Sequence, residues 1–115
     1  MKDINILIEE LRRFRDDRDW LQFHNHKDMA ISLVLESAEV LEHFQWKSLK
    51  EVEEYGQKNR EEIAEELADV LKYLLQLADN LQIDVVEAAL NKLKKDAIKY
   101  PVEKAKGKHT KYNKL

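Results

Sequence analysis

Cysteine is absent from the 115 residues, proline occurs once and glycine twice. Without cysteine there is no disulfide and no thiolate metal site. With so little proline and glycine, few tight turns or sheet corners can be built. No stretch reaches the ~20 apolar residues of a membrane span. The opening segment MKDINILIEELRRF carries charges throughout and lacks the apolar run of a signal peptide. The net charge is only −3, so no global field draws the chain to nucleic acid or to an anionic membrane. These absences lead us to expect a cytoplasmic protein with no nucleic-acid or membrane partner.

What is present points to helices. Hydrophobic residues make up 43% and charged residues 37%, and Leu, Glu, Lys, Ala and Ile dominate. We expect an all-α, antiparallel four-helix bundle-like fold in one domain, 1–115. The first helix is expected over Asp3–Trp20, with Ile4, Leu7, Leu11 and Phe14 at helical spacing. A loop, FHNHKD, precedes a second helix over Met29–Phe44, with Asn25 or Asp28 as cap. A shorter helix starts at Ser48, boxed by Glu51 and stopped by Gly56. The third main helix covers Asn59–Leu81. The fourth covers Asp84–Lys99, with Asp84 and Glu87 as a second capping box and Tyr100-Pro101 as its end. The basic remainder, about 101–115, has little apolar periodicity and reads as a mobile or draped tail.

The stretch LVLESAEVLEHFQW (Leu33–Trp46) is apolar on nearly every side of a helix, yet it holds Glu36 and Glu39. At about 100° per residue these two lie about 60° apart. Such a helix is expected to be central, with both carboxylates facing inward. Glu66 and Asp69 repeat the spacing on the third main helix, while Lys72, Gln76 and Glu65 mark a face expected to be wet. Carboxylates gathered away from water repel one another and lose their charge unless a cation holds them. Hard Mg²⁺, with Mn²⁺ as a substitute, suits an all-oxygen set. No HExxH is present, and the Glu-x-x-His of di-iron bundles is missing because Val40 stands three before His43. The plainer reading of each pair is a solvated acidic stripe.

ESAE (Glu36 to Glu39) followed by ELAD (Glu66 to Asp69) resembles the ExxE…ExxD signature of the MazG-like, all-α nucleotide pyrophosphohydrolases, with residues 40–65 as the intervening stretch. RDWLQFH (Arg18 to His24), LEHFQW (Leu41 to Trp46), ADVLKYLL (Ala68 to Leu75) and KYPVEKAKGKHTKY (Lys99 to Tyr112) look like blocks of its dCTP-pyrophosphatase-like branch. The resemblance implies hydrolysis of a nucleoside triphosphate to the monophosphate and pyrophosphate, and we expect the substrate to be a dNTP. It implies Mg²⁺ on Glu36, Glu39, Glu66 and Asp69. One of these carboxylates is expected to take the proton of a metal-bound water, and we favour Glu39. The resemblance places His24, Trp46 and Tyr73 at the nucleotide and Lys27 and Lys99 near phosphates. It also implies a homodimer or homotetramer. Two departures stand out. HNHKD replaces the branch's usual HxPKN, and Asp96 stands where relatives carry an Asn that helps to hold the nucleotide.

Bland roles compete at several positions. Trp20 and Trp46 suit core or hinge aromatics, Tyr73 a core filler, His24 a loop hydrogen-bonder and His43 a packed side chain. The competing function is a non-catalytic helical interaction module. A weaker third is a phosphohydrolase of another metabolite.

Overall fold

The computed structural model describes residues 3–115, and 77% helix with no strand makes the described chain all-helical. Helix α1 (Ile4–Asp17) begins where the Asp3 side chain accepts from the Asn5 amide at 2.9 Å, taking up one of the unpaired donors of a first turn. It ends three residues before Trp20, the end expected from the sequence. Asp19 is the reason: it adopts a left-handed backbone, φ 53, which a short polar side chain tolerates. The reversal sets the Trp20 ring edge-on to Phe14, centroids 5.7 Å apart. Leu21–Phe23 then form one 3₁₀ turn.

Helix α2 (His26–Glu42) starts earlier than the expected Met29. Of the two candidate caps it uses Asn25, whose Oδ1 accepts from the Asp28 amide and whose Nδ2 donates to the Asp28 carboxylate, both at 2.8 Å. Helix α3 (Leu49–Lys58) carries the expected Ser48–Glu51 capping box. Gly56 is not its stop, because it lies inside the helix. The break comes at Asn59, whose Nδ2 donates to the Tyr55 carbonyl at 3.0 Å and so satisfies a group freed at the helix end. Helix α4 (Arg60–Asn80) follows at once. Helix α5 (Val85–Lys99) opens with the Asp84 side chain accepting from the Glu87 amide at 3.0 Å. Past Pro101 the tail contains a short α6 (Val102–Ala105) and a 3₁₀ turn, Tyr112–Lys114.

These elements form two compact units, residues 3–82 and Ile83–Leu115. In the first, α2 and α4 make the most extensive pairing, and α1 and α3 also pack on α4. Leu11, Met29, Leu75 and Ala78 are the buried apolar residues among those described. Full burial of Leu75 contributes about 1.5–3 kcal/mol. Arg12 ties α1 to α4 by two hydrogen bonds to Asp79, the Nε bond at 2.9 Å.

Helix α2 is not enclosed as its composition suggested. Met29 is its buried residue, whereas Val34 and Leu35 are 67% and 60% exposed and Ile31 and Leu41 also face outward. The cause is geometric: α2 has one major helix partner in its unit, α4, and one partner covers one face.

In the second unit Lys92 pairs with Asp96, one helical turn on. The Tyr100 and Tyr112 rings meet edge-on at 6.1 Å, and Lys99 Nζ stands 4.8 Å from the Tyr112 ring centre.

Candidate functional site

The i,i+3 acids of α2 and α4 meet because these two helices pack together. One carboxylate oxygen from each of Glu36, Glu39 and Glu66 lies within 4.8 Å of the other two. Glu36 and Glu66 are half-buried, and Glu39 is exposed at the rim. Glu36 Oε2 and Glu66 Oε2 are shut off from water and meet no hydrogen-bond partner among the described residues. The crowding shows in their proton affinities. Glu66 is pushed up to about 7, first by its hydrogen bond with Glu39, then by burial and the surrounding negative charge. Glu36 is raised by burial first and by Glu39 next, while Lys72 opposes the shift.

Asp69 stands outside this three-oxygen group. It accepts from Lys72 Nζ at 3.2 Å and is partly exposed. The set offers oxygen donors throughout, and two of them are buried without a partner. A hard divalent cation fits that chemistry, since it would satisfy both oxygens and cancel the repulsion.

Next along α4, Lys72, Tyr73 and Gln76 enter the wall of a cavity of about 540 Å³ that α1 and the following loop complete with Phe14, Trp20 and His24. Apolar and aromatic atoms supply most of the wall area, and Glu10, Arg13, Asp17, Arg18 and Lys72 add charge of both signs. Arg18 lies over the Phe14 ring, Cζ 3.7 Å from its centre. His24 is half-buried, and its Nδ1 is sealed from water with no partner among the described residues. Burial, then the Arg15 charge, lowers its pKa, so the ring is neutral at pH 7. Asn80 Nδ2 donates to the His24 carbonyl at 3.0 Å and fixes the loop.

Of the residues singled out in the sequence, His24 and Tyr73 therefore share one cavity. Lys27 and Trp46 are not in its wall. Lys27 is exposed and edges a shallow groove of about 320 Å³ with Ile31, Val34 and Leu35. Trp46 is 88% exposed on the turn between α2 and α3. Asp96 and Lys99 lie in the second unit, the first paired with Lys92 and the second over Tyr112. Sequence reasoning missed Lys72 and Gln76, which it assigned to a wet face, and left Trp20 as core or hinge. The available signal was the helical recurrence of 69, 72, 73 and 76, which carries the acid face of α4 onward.

The described residues thus form an all-helical protein whose two best-packed helices bring their acids together, beside a cavity with aromatic residues in its wall. Residues 31–115 match the model of the MazG-like family. The chain belongs to the MazG-like family. It is 38% identical over 114 residues to dCTP pyrophosphatase 1 of Mus musculus, covering 94% of this chain and 67% of that protein. The Homo sapiens dCTP pyrophosphatase 1 is 39% identical with the same coverage. Among solved structures, a pyrophosphatase from Archaeoglobus fulgidus superposes with a TM-score of 0.83 at 43% identity, over 88% of this chain and 94% of that one.

Proposed function

We propose that this chain, acting as one domain, is a nucleoside triphosphate pyrophosphohydrolase that converts a dNTP to the monophosphate and pyrophosphate with Mg²⁺. The observation that carries the reading is the convergence of Glu36, Glu39 and Glu66, two with an orphaned buried oxygen. Family membership and the relatives named pyrophosphatase support the reaction class.

Glu36, Glu39 and Glu66 would hold the cation, with Asp69, paired with Lys72 in the structure, as the fourth candidate ligand. When bound, the cation neutralises charge on the phosphates and lowers the pKa of a water. The chain's own residues do the rest. The aromatic walls at Phe14, Trp20 and Tyr73 take the nucleoside and exclude water, and His24 stands in the same wall. Glu39, the most accessible acid, takes the proton of the attacking water. That oxygen bonds to the α-phosphorus, the bond to the α,β-bridging oxygen breaks, and pyrophosphate leaves. Lys27, Trp46, Asp96 and Lys99 remain substrate contacts in this reading on the strength of the family resemblance.

Assembly belongs to the proposal. The outward apolar face of α2, with Ile31, Val34, Leu35 and Leu41, supports a homodimer or homotetramer in which that face is covered. A cytoplasmic setting suits a nucleotide substrate, and no described helix is long and apolar enough to cross a membrane.

The test is a panel of NTPs and dNTPs incubated with the protein and Mg²⁺, with products resolved. Monophosphate and pyrophosphate are expected, and Glu36→Gln should abolish turnover without unfolding the chain. Absence of turnover on every nucleotide, with no Mg²⁺-dependent rise in melting temperature, returns the chain to a binding role. Release of orthophosphate and a diphosphate would move the cleaved bond.

A further inference from the structure

Lys72 belongs to two places at once. Its ammonium donates to Asp69 at 3.2 Å, and its side chain forms part of the cavity wall beside Tyr73 and Gln76. Its charge also reaches Glu36, where it opposes the effect of burial. The helix dictates this. Glu66, Asp69, Lys72, Tyr73 and Gln76 recur at intervals of three and four, so one face of α4 runs from the acid cluster into the cavity.

The ion pair itself is half open to water, with side chains 46% and 38% exposed. Such pairs are weak and exchange readily. A lysine has a flexible four-carbon stem and three rotatable donors, so it can change partner without moving its helix.

We propose that Lys72 is the resident counter-ion of the acid cluster and also a phosphate-binding residue. It neutralises Asp69 while the cluster holds no divalent cation, and it turns to a phosphate oxygen of the nucleotide once a cation is held. Three features of the structure lead there. Asp69 is the one acid of the four already neutralised by a lysine, and the other three converge without it. A divalent ion at the cluster would take over that neutralisation and repel the ammonium. The position between an aromatic cavity and a carboxylate cluster is also where the anionic phosphate chain of a nucleotide would run, and a mobile lysine suits a phosphate there. The inference rests on the pyrophosphohydrolase reading and adds a residue to it.

The experiment is titration calorimetry on Lys72→Gln, Lys72→Arg and the parent, with Mn²⁺ alone and then with pyrophosphate in the presence of Mg²⁺. With its competing cation removed, Lys72→Gln should bind Mn²⁺ about threefold more tightly. It should bind pyrophosphate about tenfold more weakly, and Lys72→Arg should retain the parent's pyrophosphate affinity. A merely structural lysine would move neither. Unchanged or weaker Mn²⁺ binding in Lys72→Gln, or parent-like pyrophosphate binding, overturns the assignment. Glu36→Gln in the same titration separates the two ideas. If it binds Mn²⁺ like the parent, the metal-centre reading itself falls; if it loses Mn²⁺ while Lys72→Gln matches the parent, only the role of Lys72 falls.

Discussion

His43 Nδ1 and the Tyr55 hydroxyl share a hydrogen bond of 2.7 Å that ties the end of α2 to the middle of α3. Lys47 Nζ stands 4.2 Å from the Tyr55 ring centre, and Phe44 meets the same ring edge-on. The turn that displays Trp46 is thus held on both sides. Tyr55→Phe keeps the ring and removes the bond, so it should cost about 1 kcal/mol of stability by denaturant titration. If Trp46 serves as a base platform, KM for the nucleotide should rise in this variant while kcat stays level.

The acid cluster makes stability depend on pH in an unusual direction. Glu66 rises from an ordinary 4.5 to about 7 in the fold. Between those values the folded state keeps a proton that the unfolded chain gives up, so the contribution is complete below 4.5 and is lost as pH climbs through about 7. The metal-free melting temperature should therefore fall across that window. Glu66→Gln should flatten the slope, and added Mg²⁺ should lift its alkaline end. A flat profile in the metal-free parent would contradict the crowding.

Asp79 behaves oppositely. Its hydrogen bonds to Arg12 hold it below the usual 3.8, so its contribution is present above that value and disappears as pH falls through the lower folded one. Asp79→Asn should cost about 1 kcal/mol at neutral pH, a modest figure because Arg12 is half in solvent. The gap to the parent should close only in strong acid, as read from paired thermal melts.

In the cavity, Trp20→Ala removes an aromatic wall. Nucleotide KM should rise by about tenfold or more, the usual loss when a stacking ring is deleted, with a smaller effect on kcat. Parent-like kinetics would mean that the nucleoside binds elsewhere.

Val34 is two-thirds exposed on the outward face of α2. Val34→Glu should shift sedimentation toward a smaller species if that face is an interface between copies. The same sedimentation pattern as the parent would leave the face uncovered in solution.

Much of this was legible in the sequence because it is local. Ser48 with Glu51, and Asp84 before Val85, announce helix starts through side chains that bond to amides three residues away. The i,i+3 acids could be paired for the same reason. Gly56 misled because its stop signal is weaker than the helix formers around it, and the break fell to Asn59, whose amide reaches back one turn. The wheel of α4 showed that Lys72 and Gln76 share a face, but not that α1 would stand beside that face and make it one wall of a cavity. The apolar circumference of α2 was plain in the sequence too, yet periodicity reports only that a surface is apolar and cannot say what lies against it.

The joint at Asn59 has a consequence for how this motif varies. The acid pairs are registered by the packing of α2 on α4, while residues 43–59 form a hairpin excursion whose α3 touches α4 only lightly. The spacer is thus the stretch where a change of length should disturb the carboxylates least, provided that the tie from His43 to Tyr55 is kept. A search for cousins of this protein should fix the two acidic words and leave the gap between them open, and a designer seeking a tolerant insertion point has one at the end of α3.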